Sequence, residues 1–337
     1  MRTLPALALL AVLAAAPARA DLKALKEAAR KEGQVTWYTA HFPTEVAEQV
    51  GRRFTAKYPG VQASVVRATS QVVYQRLTQD LSKGVAQCDV FSSADIGHYV
   101  TLGRQQRWAR YEPVNESGLA PEFQGFDKAR SYYPTSMNLI FISYNTNKVK
   151  PEQAPKVWTD FLDPKWKGQI SLGHPGFSGA VGTWSVALSK LYGWSFFEKL
   201  EKNRPLVGRS INDTTTMLNA GERSIAHATG FAIESGARGN PIAVNYAADG
   251  TVAVLNASAI LANAPHPNAA RLLLEFLMDR EAGEVASKYG REPIRPDVAP
   301  APGMKPLSAL KVIRQAPEDL AKGIPEAIER WRDIFGN

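Results

Sequence analysis

Residues 34–40 (QVTWYTA), 61–68 (VQASVVRA) and 88–94 (CDVFSSA) are three short segments with the composition of β-strands. Two segments with helical patterning separate them, EVAEQVGRRFTAKYPG (45–60) and SQVVYQRLTQDLSKG (70–84). Each helical segment ends at a glycine, a residue that commonly terminates helices. The alternation of strand and helix predicts repeated βα units and a largely parallel sheet.

The rest of the chain continues the mixed α/β pattern. Residues 138–146 (NLIFISYNT) predict a long buried strand, and residues 268–290 predict one long helix. The proline-rich stretch 293–306 predicts a loop, and residues 316–336 (APEDLAKGIPEAIERWRDIFG) predict a final helix. The fold class expected from the whole chain is therefore α/β.

The first twenty residues have the layout of a cleavable secretory signal. Arg2 precedes an apolar run from Leu4 to Pro17, and the segment ends in Ala18-Arg19-Ala20. Small residues at the end of such a segment are typical of a cleavage site. We expect a mature chain that begins at Asp21 and works in the periplasm, and the absence of a cysteine at the cut argues against a lipid anchor.

Length and charge narrow the choice of function class. A chain of 337 residues is longer than a single core usually supports, so we expect two lobes. The net charge of +8 suits a receptor for anions, although it also suits mere solubility. Basic clusters interleaved with aromatic residues are missing, which argues against nucleic acid as a partner. The single cysteine, Cys88, is expected to be a buried small hydrophobe.

Several segments together resemble the periplasmic substrate-binding proteins of ABC importers, in the branch that includes the ferric-ion-binding receptors and the family 1 extracellular solute-binding proteins. They follow the order of that family through nearly all of the mature chain. The matching stretches are VTWYTA (35–40), CDVFSSADIGHYVTLGRQQRW (88–108), NLIFISYNTNKV (138–149), WTDFLDPKWKGQISLGHPGFSGAVGT (158–183) and PNAARLLLEFLMDREAGEVASKYG (267–290).

The resemblance implies a two-lobed, type II-like binding-protein fold with the ligand in the cleft between the lobes. Residues 21–137 and 251–292 would form the first lobe, and residues 138–250 and 293–337 the second. The chain would cross between the lobes at Asn138–Tyr144 and return near Thr251–Leu255. Such receptors close on a ligand by hinge motion and dock on an inner-membrane ABC permease. The resemblance also implies a monomer that performs no chemistry.

The ferric members of that branch hold iron with an adjacent pair of tyrosines, and this chain has His227-Ala228-Thr229-Gly230-Phe231 at the corresponding place. The phenolate oxygens that Fe(III) prefers are missing there. The pair Tyr132-Tyr133 precedes the crossover strand and is expected to pack near the hinge. We therefore expect a small anionic ligand, organic or phosphorus-containing. Ferric ion with a synergistic anion remains the alternative, with Tyr38, His41 or Tyr246 as substitute ligands.

Loops that join a strand to a helix are the expected anion-binding elements, because helix N-termini offer unpaired backbone N–H groups and a positive dipole end. In open α/β sheets such loops converge at the carboxyl ends of the strands. For each hydroxyl the alternative is an ordinary helix cap. The candidates from these loops are Thr39, His41, Thr69, Ser70, Ser93, Ser178 and Gly179.

Four further residues complete the predicted ligand set. Arg67 and Arg209 suit bidentate recognition of a carboxylate or phosphonate, with surface ion pairing as the alternative. Thr229 falls near the metal-ligand position of the related receptors. Asn212 suits hydrogen bonding to ligand hydroxyls or amines, whereas the neighbouring Asp213 is expected to cap a helix that begins at Thr214.

No enzyme motif stands in the sequence. A nucleophile elbow, a phosphate loop, zinc-ligand spacing and an HExxH string are all absent. The histidines at positions 41, 98, 174, 227 and 266 show no metal-ligand spacing. We therefore predict no catalytic residue, no metal site and no cofactor.

Overall fold

A computed structural model describes residues 21–336, so the predicted signal segment lies outside the described residues. The helices are α1 (Leu22–Glu32), α2 (Thr44–Lys57), α3 (Ser70–Ser82), α4 (Ile96–Arg104), α5 (Gly179–Tyr192), α6 (Ser195–Glu201), α7 (Ile211–Asn219), α8 (Phe231–Ala237), α9 (Pro267–Leu277), α10 (Arg280–Lys288) and α11 (Pro317–Phe335). The strands are β1 (Gln34–Thr39), β2 (Gln62–Arg67), β3 (Val90–Ser93), β4 (Tyr132–Asn145), β5 (Ile170–Leu172), β6 (Leu206–Val207), β7 (Ile225–Ala228), β8 (Ile242–Asn245), β9 (Thr251–Ile260) and β10 (Val312–Ile313).

The strands follow one continuous path in the order β2-β1-β3-β9-β4-β7-β5-β6. The path begins with β1 in parallel register with both β2 and β3, as the βα pattern of residues 34–94 predicts. It ends with β5 in parallel register with both β6 and β7. The two parallel groups are joined through the antiparallel strands β9 and β4.

Strand β4 connects the two halves of the molecule. Its residues 132–140 pair with β9, whereas residues 141–145 pair with β7 on one side and β8 on the other. All fourteen residues of β4 are buried, which explains why apolar residues do not simply alternate with polar ones at Leu139–Ile142. The strand begins at Tyr132, earlier than the sequence predicts, and Tyr132 and Tyr133 are its first two residues.

Separate apolar cores lie on the two sides of this connection. One core contains Trp37, Phe54 and Phe276 and joins α1, α2 and α9 to the β1 side of the sheet. A second core contains Trp158 and Trp184. It joins α5 and α6 to the β5 side of the sheet. Fully buried aromatic side chains of this size contribute about 1.5–3 kcal/mol each to the stability of a core. Both cores are therefore large enough to hold their half of the chain together.

Three local details differ from the sequence predictions, and each has a physical reason. The single helix predicted over 268–290 is two helices, because the Asp279 carboxylate accepts from the backbone N–H of Ala282 and starts α10 anew. Helix α7 begins at Ile211 rather than Thr214. Its cap is Ser210, whereas Asp213 is the third helical residue and accepts from the Ser210 backbone N–H at 2.9 Å.

The C-terminal region contacts both halves. Ile294 belongs to the first core, and one Nη of Arg295 donates to the carbonyl of Met278 at 3.0 Å. Helix α11 packs against α4 and also against α5. The lobe boundaries given above, which assign residues 293–337 to the second lobe, stay a prediction. Within residues 21–336, no helix has the length and apolar character needed to cross a membrane.

Candidate ligand-binding site

A polar pocket lies where strand-to-helix loops from the two sides of the sheet meet. Its cavity volume is about 30 Å³, and it is partly open to solvent. The loops after β1, β2 and β3 form one side, the starts of α5 and α7 and the end of β7 form the other, and the middle of β4 and β9 forms the floor. The lining residues are Ala40, His41, Arg67, Thr69, Ser70, Ala94, Asn138, Ser178, Ala180, Ser210, Ile211, Asn212, Thr229, Asn256 and Arg291.

Seven of the eleven residues predicted from the sequence line this pocket, and they come from both sides of it. They are His41, Arg67, Thr69, Ser70, Ser178, Asn212 and Thr229. Ser178 precedes α5, but its side chain does not cap that helix, and the same holds for Thr69 before α3. Ser70 is the first residue of α3 rather than its cap.

The other four predicted residues lie outside the lining. Thr39 is fully buried, and its hydroxyl accepts from the backbone N–H of His41. Ser93 bonds His98 instead of facing the pocket. Gly179 packs against the first half of the chain, where a Cβ would stand 2.7 Å from the Asp95 backbone nitrogen. Arg209 is exposed, with its guanidinium 4.8 Å from the centre of the Phe177 ring.

Two arginines give the pocket its charge. Arg67 stands at the end of β2, half-buried, and its Nε donates to the carbonyl of Phe42 at 2.7 Å. Arg291, in the segment after α10, is only 6% exposed, and one of its Nη atoms donates to the carbonyl of His41. Its Nε and its other Nη have no partner among the described residues.

The pKa values of both arginines are lowered. Burial lowers the pKa of Arg67, and burial together with the charge of Arg67 lowers the pKa of Arg291 to about 9. That value is above neutral pH, so the Arg291 guanidinium is cationic at pH 7. A buried cation with unpaired N–H groups is costly unless an anion pairs with it. Two cations in one pocket, one of them buried with unpaired N–H groups, are chemically suited to pair with an anion.

Neutral polar atoms without partners surround the two arginines. Thr69 Oγ1, Asn138 Oδ1 and both side-chain polar atoms of Asn256 are buried and make no hydrogen bond within the described part of the chain. Leaving a buried donor or acceptor unpaired costs about 1–3 kcal/mol, so such groups are uncommon outside functional sites. These side chains can donate hydrogen bonds to a ligand and accept hydrogen bonds from it.

Carboxylates and phenols do not occur among the fifteen lining residues. His41 is the one imidazole there, and its Nε2 donates to the carbonyl of Ala257 at 2.9 Å. Burial lowers the pKa of His41 to about 3, which keeps the ring neutral. The other suggested iron ligands lie elsewhere: the Tyr38 hydroxyl donates to Asp80, and the Tyr246 hydroxyl accepts from the backbone N–H of Lys305.

The two sides of the pocket touch each other directly. The backbone N–H of Gln71 in α3 donates to the carbonyl of Phe177, which precedes α5, at 3.3 Å. Gly230, before α8, lies against Gly290, after α10, so closely that a Cβ on Gly230 would overlap the Gly290 carbonyl oxygen. This arrangement holds the loops of both sides around the pocket.

One cluster near the pocket has the composition of a hydrolase triad. Ser93 Oγ lies 3.0 Å from His98 Nδ1, and His98 Nε2 lies 3.2 Å from an Asp95 carboxylate oxygen. Ser93 is fully buried, however, and its hydroxyl also accepts from the backbone N–H of Asp95. The hydroxyl is therefore held inside the protein, and the cluster braces the loop that carries Ala94 into the pocket.

Sequence reasoning missed the residues that come from the strand interiors and from the segment after α10. Asn138 and Asn256 stand in buried strands among apolar residues and small hydroxyl residues, and an amide in the middle of such a strand is a signal that was available. Arg291 follows Gly290 at a helix end, where a basic residue is unremarkable in sequence. Nothing local marks it as buried.

The chain belongs to a known family of binding proteins. Its residues 89–316 match the model of a family described as bacterial extracellular solute-binding protein. Members of this family bind small ligands and work with ABC permeases, and the family together with the names of relatives indicates a binding protein rather than an enzyme.

The similarity to relatives and to solved structures covers most of the chain. A Salmonella typhimurium protein, named for the binding of 2-aminoethylphosphonate in the periplasm, is 24% identical over 322 residues, which is 90% of this chain and 89% of the relative. The periplasmic binding protein AfuA from Actinobacillus pleuropneumoniae, solved with fructose-6-phosphate bound, superposes with a TM-score of 0.81 at 22% identity. Iron-bound HitA from Pseudomonas aeruginosa superposes with a TM-score of 0.77 at 19% identity.

The superpositions cover 90% of this chain and 99% of AfuA, and 89% of this chain and 99% of HitA. They establish that the chain has the two-lobed fold of periplasmic binding proteins.

Proposed function

We propose that this protein captures a small organic phosphate or phosphonate in the pocket between its lobes and delivers it to an ABC permease. The observation that carries the proposal is the pair Arg67 and Arg291 in a pocket lined by no carboxylate. The charge of Arg67 makes the charged form of Arg291 less stable, and a doubly charged anion bound to both guanidinium groups relieves that cost.

A phosphoryl group suits the distribution of donors better than a carboxylate does. Its three terminal oxygens accept hydrogen bonds from several directions at once, whereas a carboxylate has two oxygens in one plane. The pocket presents the guanidinium groups on one side. The starts of α3, α5 and α7 lie around it, near Ser70, Ser178 and Asn212.

The remainder of the ligand is expected to carry hydroxyl groups rather than an ammonium group. The lining offers no anionic side chain to an ammonium, but the unpaired amides of Asn138 and Asn256 offer both donors and acceptors. A hydroxyl is both a donor and an acceptor and matches such amides. The names of the relatives support a phosphorus-containing group whether the rest of the ligand carries an ammonium or hydroxyl groups, because one relative is named for a phosphonate and another was solved with a sugar phosphate.

Ferric ion is the second candidate, and it rests on the likeness in fold to iron-binding structures such as HitA. The donor set of the pocket does not favour it, because Fe(III) prefers anionic oxygen ligands and the lining has none. Across residues 21–336, no three His, Cys, Asp or Glu side chains are grouped so that they could hold a metal ion.

The setting of this function is proposed as well. We place the mature chain in the periplasm after cleavage of residues 1–20, working as a monomer with an inner-membrane permease and without nucleic acid. The proposed first lobe is 21–137 with 251–292, and the proposed second lobe is 138–250 with 293–337. Helix α11 contacts both α4 and α5, so its assignment to the second lobe is the boundary to test first.

Calorimetric titration of the mature chain tests the proposal. The ligands are fructose-6-phosphate, glycerol 3-phosphate, 2-aminoethylphosphonate, citrate and citrate with Fe(III). We expect saturable binding of at least one phosphorylated compound, and a loss of about a hundredfold or more in affinity for it in Arg291→Gln, since an anion would lose a buried charged partner. Arg209→Gln, an exposed arginine outside the lining, is the matched control.

The contrary results are equally specific. Unchanged affinity in a folded Arg291→Gln variant would remove the anion site from this pocket. Saturable binding of Fe(III) together with citrate, and of no phosphorylated compound, would favour the second candidate.

A further inference from the structure

A second cavity lies on the other face of the two connecting strands. Its cavity volume is about 130 Å³, it is partly open to solvent, and it is lined in part by Met137 of β4 and Leu255 of β9. The residues next to these in sequence, Asn138 and Asn256, line the polar pocket. Because successive residues of a strand point to opposite faces, the two cavities stand back to back across this pair of strands.

The second cavity is mostly apolar. Its walls come from β4, β9, the start of α4, the turn around residues 121–126 and the start of α11. The apolar lining residues are Ile96, Phe123, Phe126, Met137, Ala253, Leu255, Pro317 and Leu320. A concave, mainly apolar surface with a few polar groups at its edge is the usual form of a small-molecule site.

The polar lining residues are Glu122, Arg314 and Gln315. Glu122 and Arg314 are both exposed. Each is without an ion pair or hydrogen bond to any residue that the structure describes, and they do not pair with each other. The cavity therefore has one free carboxylate and one free guanidinium beside a mainly apolar interior.

The charges decide which class of ligand fits. An apolar molecule with only a carboxylate would pair with Arg314 but would be repelled by Glu122. An apolar molecule with only an ammonium would pair with Glu122 but would be repelled by Arg314. A molecule that carries both groups pairs with both side chains and buries its apolar part in the cavity.

We propose that this cavity is a second binding site, separate from the polar pocket, for a zwitterion with an apolar body of the size of phenylalanine or leucine. The proposal does not depend on the identity of the ligand in the polar pocket. Ligand in the second site would contact β4, β9 and α11, all of which connect the two halves of the molecule.

Calorimetric titration of the mature chain with phenylalanine, 3-phenylpropionate and 2-phenylethylamine tests the proposal. The three probes share the ring and differ in charge. We expect saturable binding of phenylalanine with one site per chain, about fivefold tighter than either of the other two, a factor that matches one exposed ion pair. Equal or tighter binding of a singly charged probe would overturn the zwitterion assignment.

Two surface variants locate the site without disturbing the fold. Glu122→Gln and Arg314→Gln are each expected to weaken phenylalanine binding about three- to fivefold. Glu122→Gln should not weaken 3-phenylpropionate, and Arg314→Gln should not weaken 2-phenylethylamine. Phenylalanine affinity equal to that of the unaltered chain in both variants would overturn the proposal, as would the absence of saturable binding.

A third variant separates the two cavities. Arg291→Gln alters the polar pocket only, so phenylalanine should bind this variant as it binds the unaltered chain. Loss of phenylalanine binding in Arg291→Gln would place the probe in the polar pocket and overturn the second site.

Discussion

The charge of Arg67 lowers the pKa of Arg291, and both side chains line the same pocket. The charged form of Arg291 is therefore less stable in the ligand-free protein. An anion between the two guanidinium groups removes that penalty, so ligand charge is expected to control affinity more strongly than ligand shape does.

Affinity for a phosphate monoester should rise as the pH is raised from about 5 to about 7.5. The second ionisation of a phosphate monoester has a pKa of about 6, so the dianion that suits two cations forms in this interval. His41 has a pKa of about 3 and does not titrate there, whereas Glu292, next to Arg291 in sequence, has a pKa of about 7, and its ionisation would act against the rise. Calorimetry at three pH values checks the rise, with a sulfate monoester, which stays singly charged, as the control. An equal rise for the sulfate ester would assign the effect to the protein instead.

Replacing Arg291 by methionine should abolish ligand binding and raise the stability of the ligand-free protein by about 1 kcal/mol. The buried guanidinium has two unpaired nitrogens, and an apolar side chain of similar length carries no such cost. Denaturant unfolding without ligand measures the change. A variant that is both less stable and able to bind would show that Arg291 serves the fold rather than the ligand.

A negative charge at Ser178 should abolish anion binding and leave the fold intact. Ser178→Asp places a carboxylate in the pocket, directly before α5, where the helix dipole favours an anionic ligand. Ser195→Asp, at the exposed first residue of α6, adds the same charge away from the pocket and is the control. Unchanged affinity in Ser178→Asp would remove Ser178 from the site.

Gly230→Ala should weaken ligand binding about tenfold or more. The added methyl group would overlap the Gly290 carbonyl, so the two segments must separate to accommodate it. Gly103→Ala is the control, because a Cβ there meets only the Trp108 ring at an ordinary 3.6 Å. Affinity and the small-angle scattering radius are the measurements. A compact Gly230→Ala variant with normal affinity would contradict this account of the contact.

Glu292→Gln should stabilise the protein at pH 8 and have little effect at pH 5. Burial raises the pKa of Glu292 to about 7 from an ordinary value of 4.5, so the folded state binds its proton more tightly than the unfolded state does. The stability that this carboxyl contributes is therefore complete below about pH 4.5 and is lost as the pH rises through 7. The difference between the variants at pH 8 is expected to be about 1–3 kcal/mol. Equal stability of the two proteins at both pH values would contradict the burial of this charge.

The sequence predicted the parallel β2-β1-β3 group because each strand and helix there has its own local pattern. It also predicted the strand-to-helix loops that line the pocket, since hydroxyl residues follow the strands at Thr69 and Ser70. It did not predict Arg291, whose burial depends on a contact with the distant His41 carbonyl. The sequence also did not predict the break between α9 and α10, because an aspartate such as Asp279 can stand inside a helix as well as at its cap. Such features depend on tertiary contacts, which no local pattern contains.

The position of Asn138 and Asn256 on the two connecting strands has a consequence for the order of events during capture. When two lobes rotate about a shared pair of strands, atoms on those strands travel the shortest path. In the proposed hinge closure the amides would therefore be in place while the cleft is open, and Ser70 and Ser178 would approach from opposite sides. An arriving molecule would meet a fixed floor first, and the sides would then enclose it.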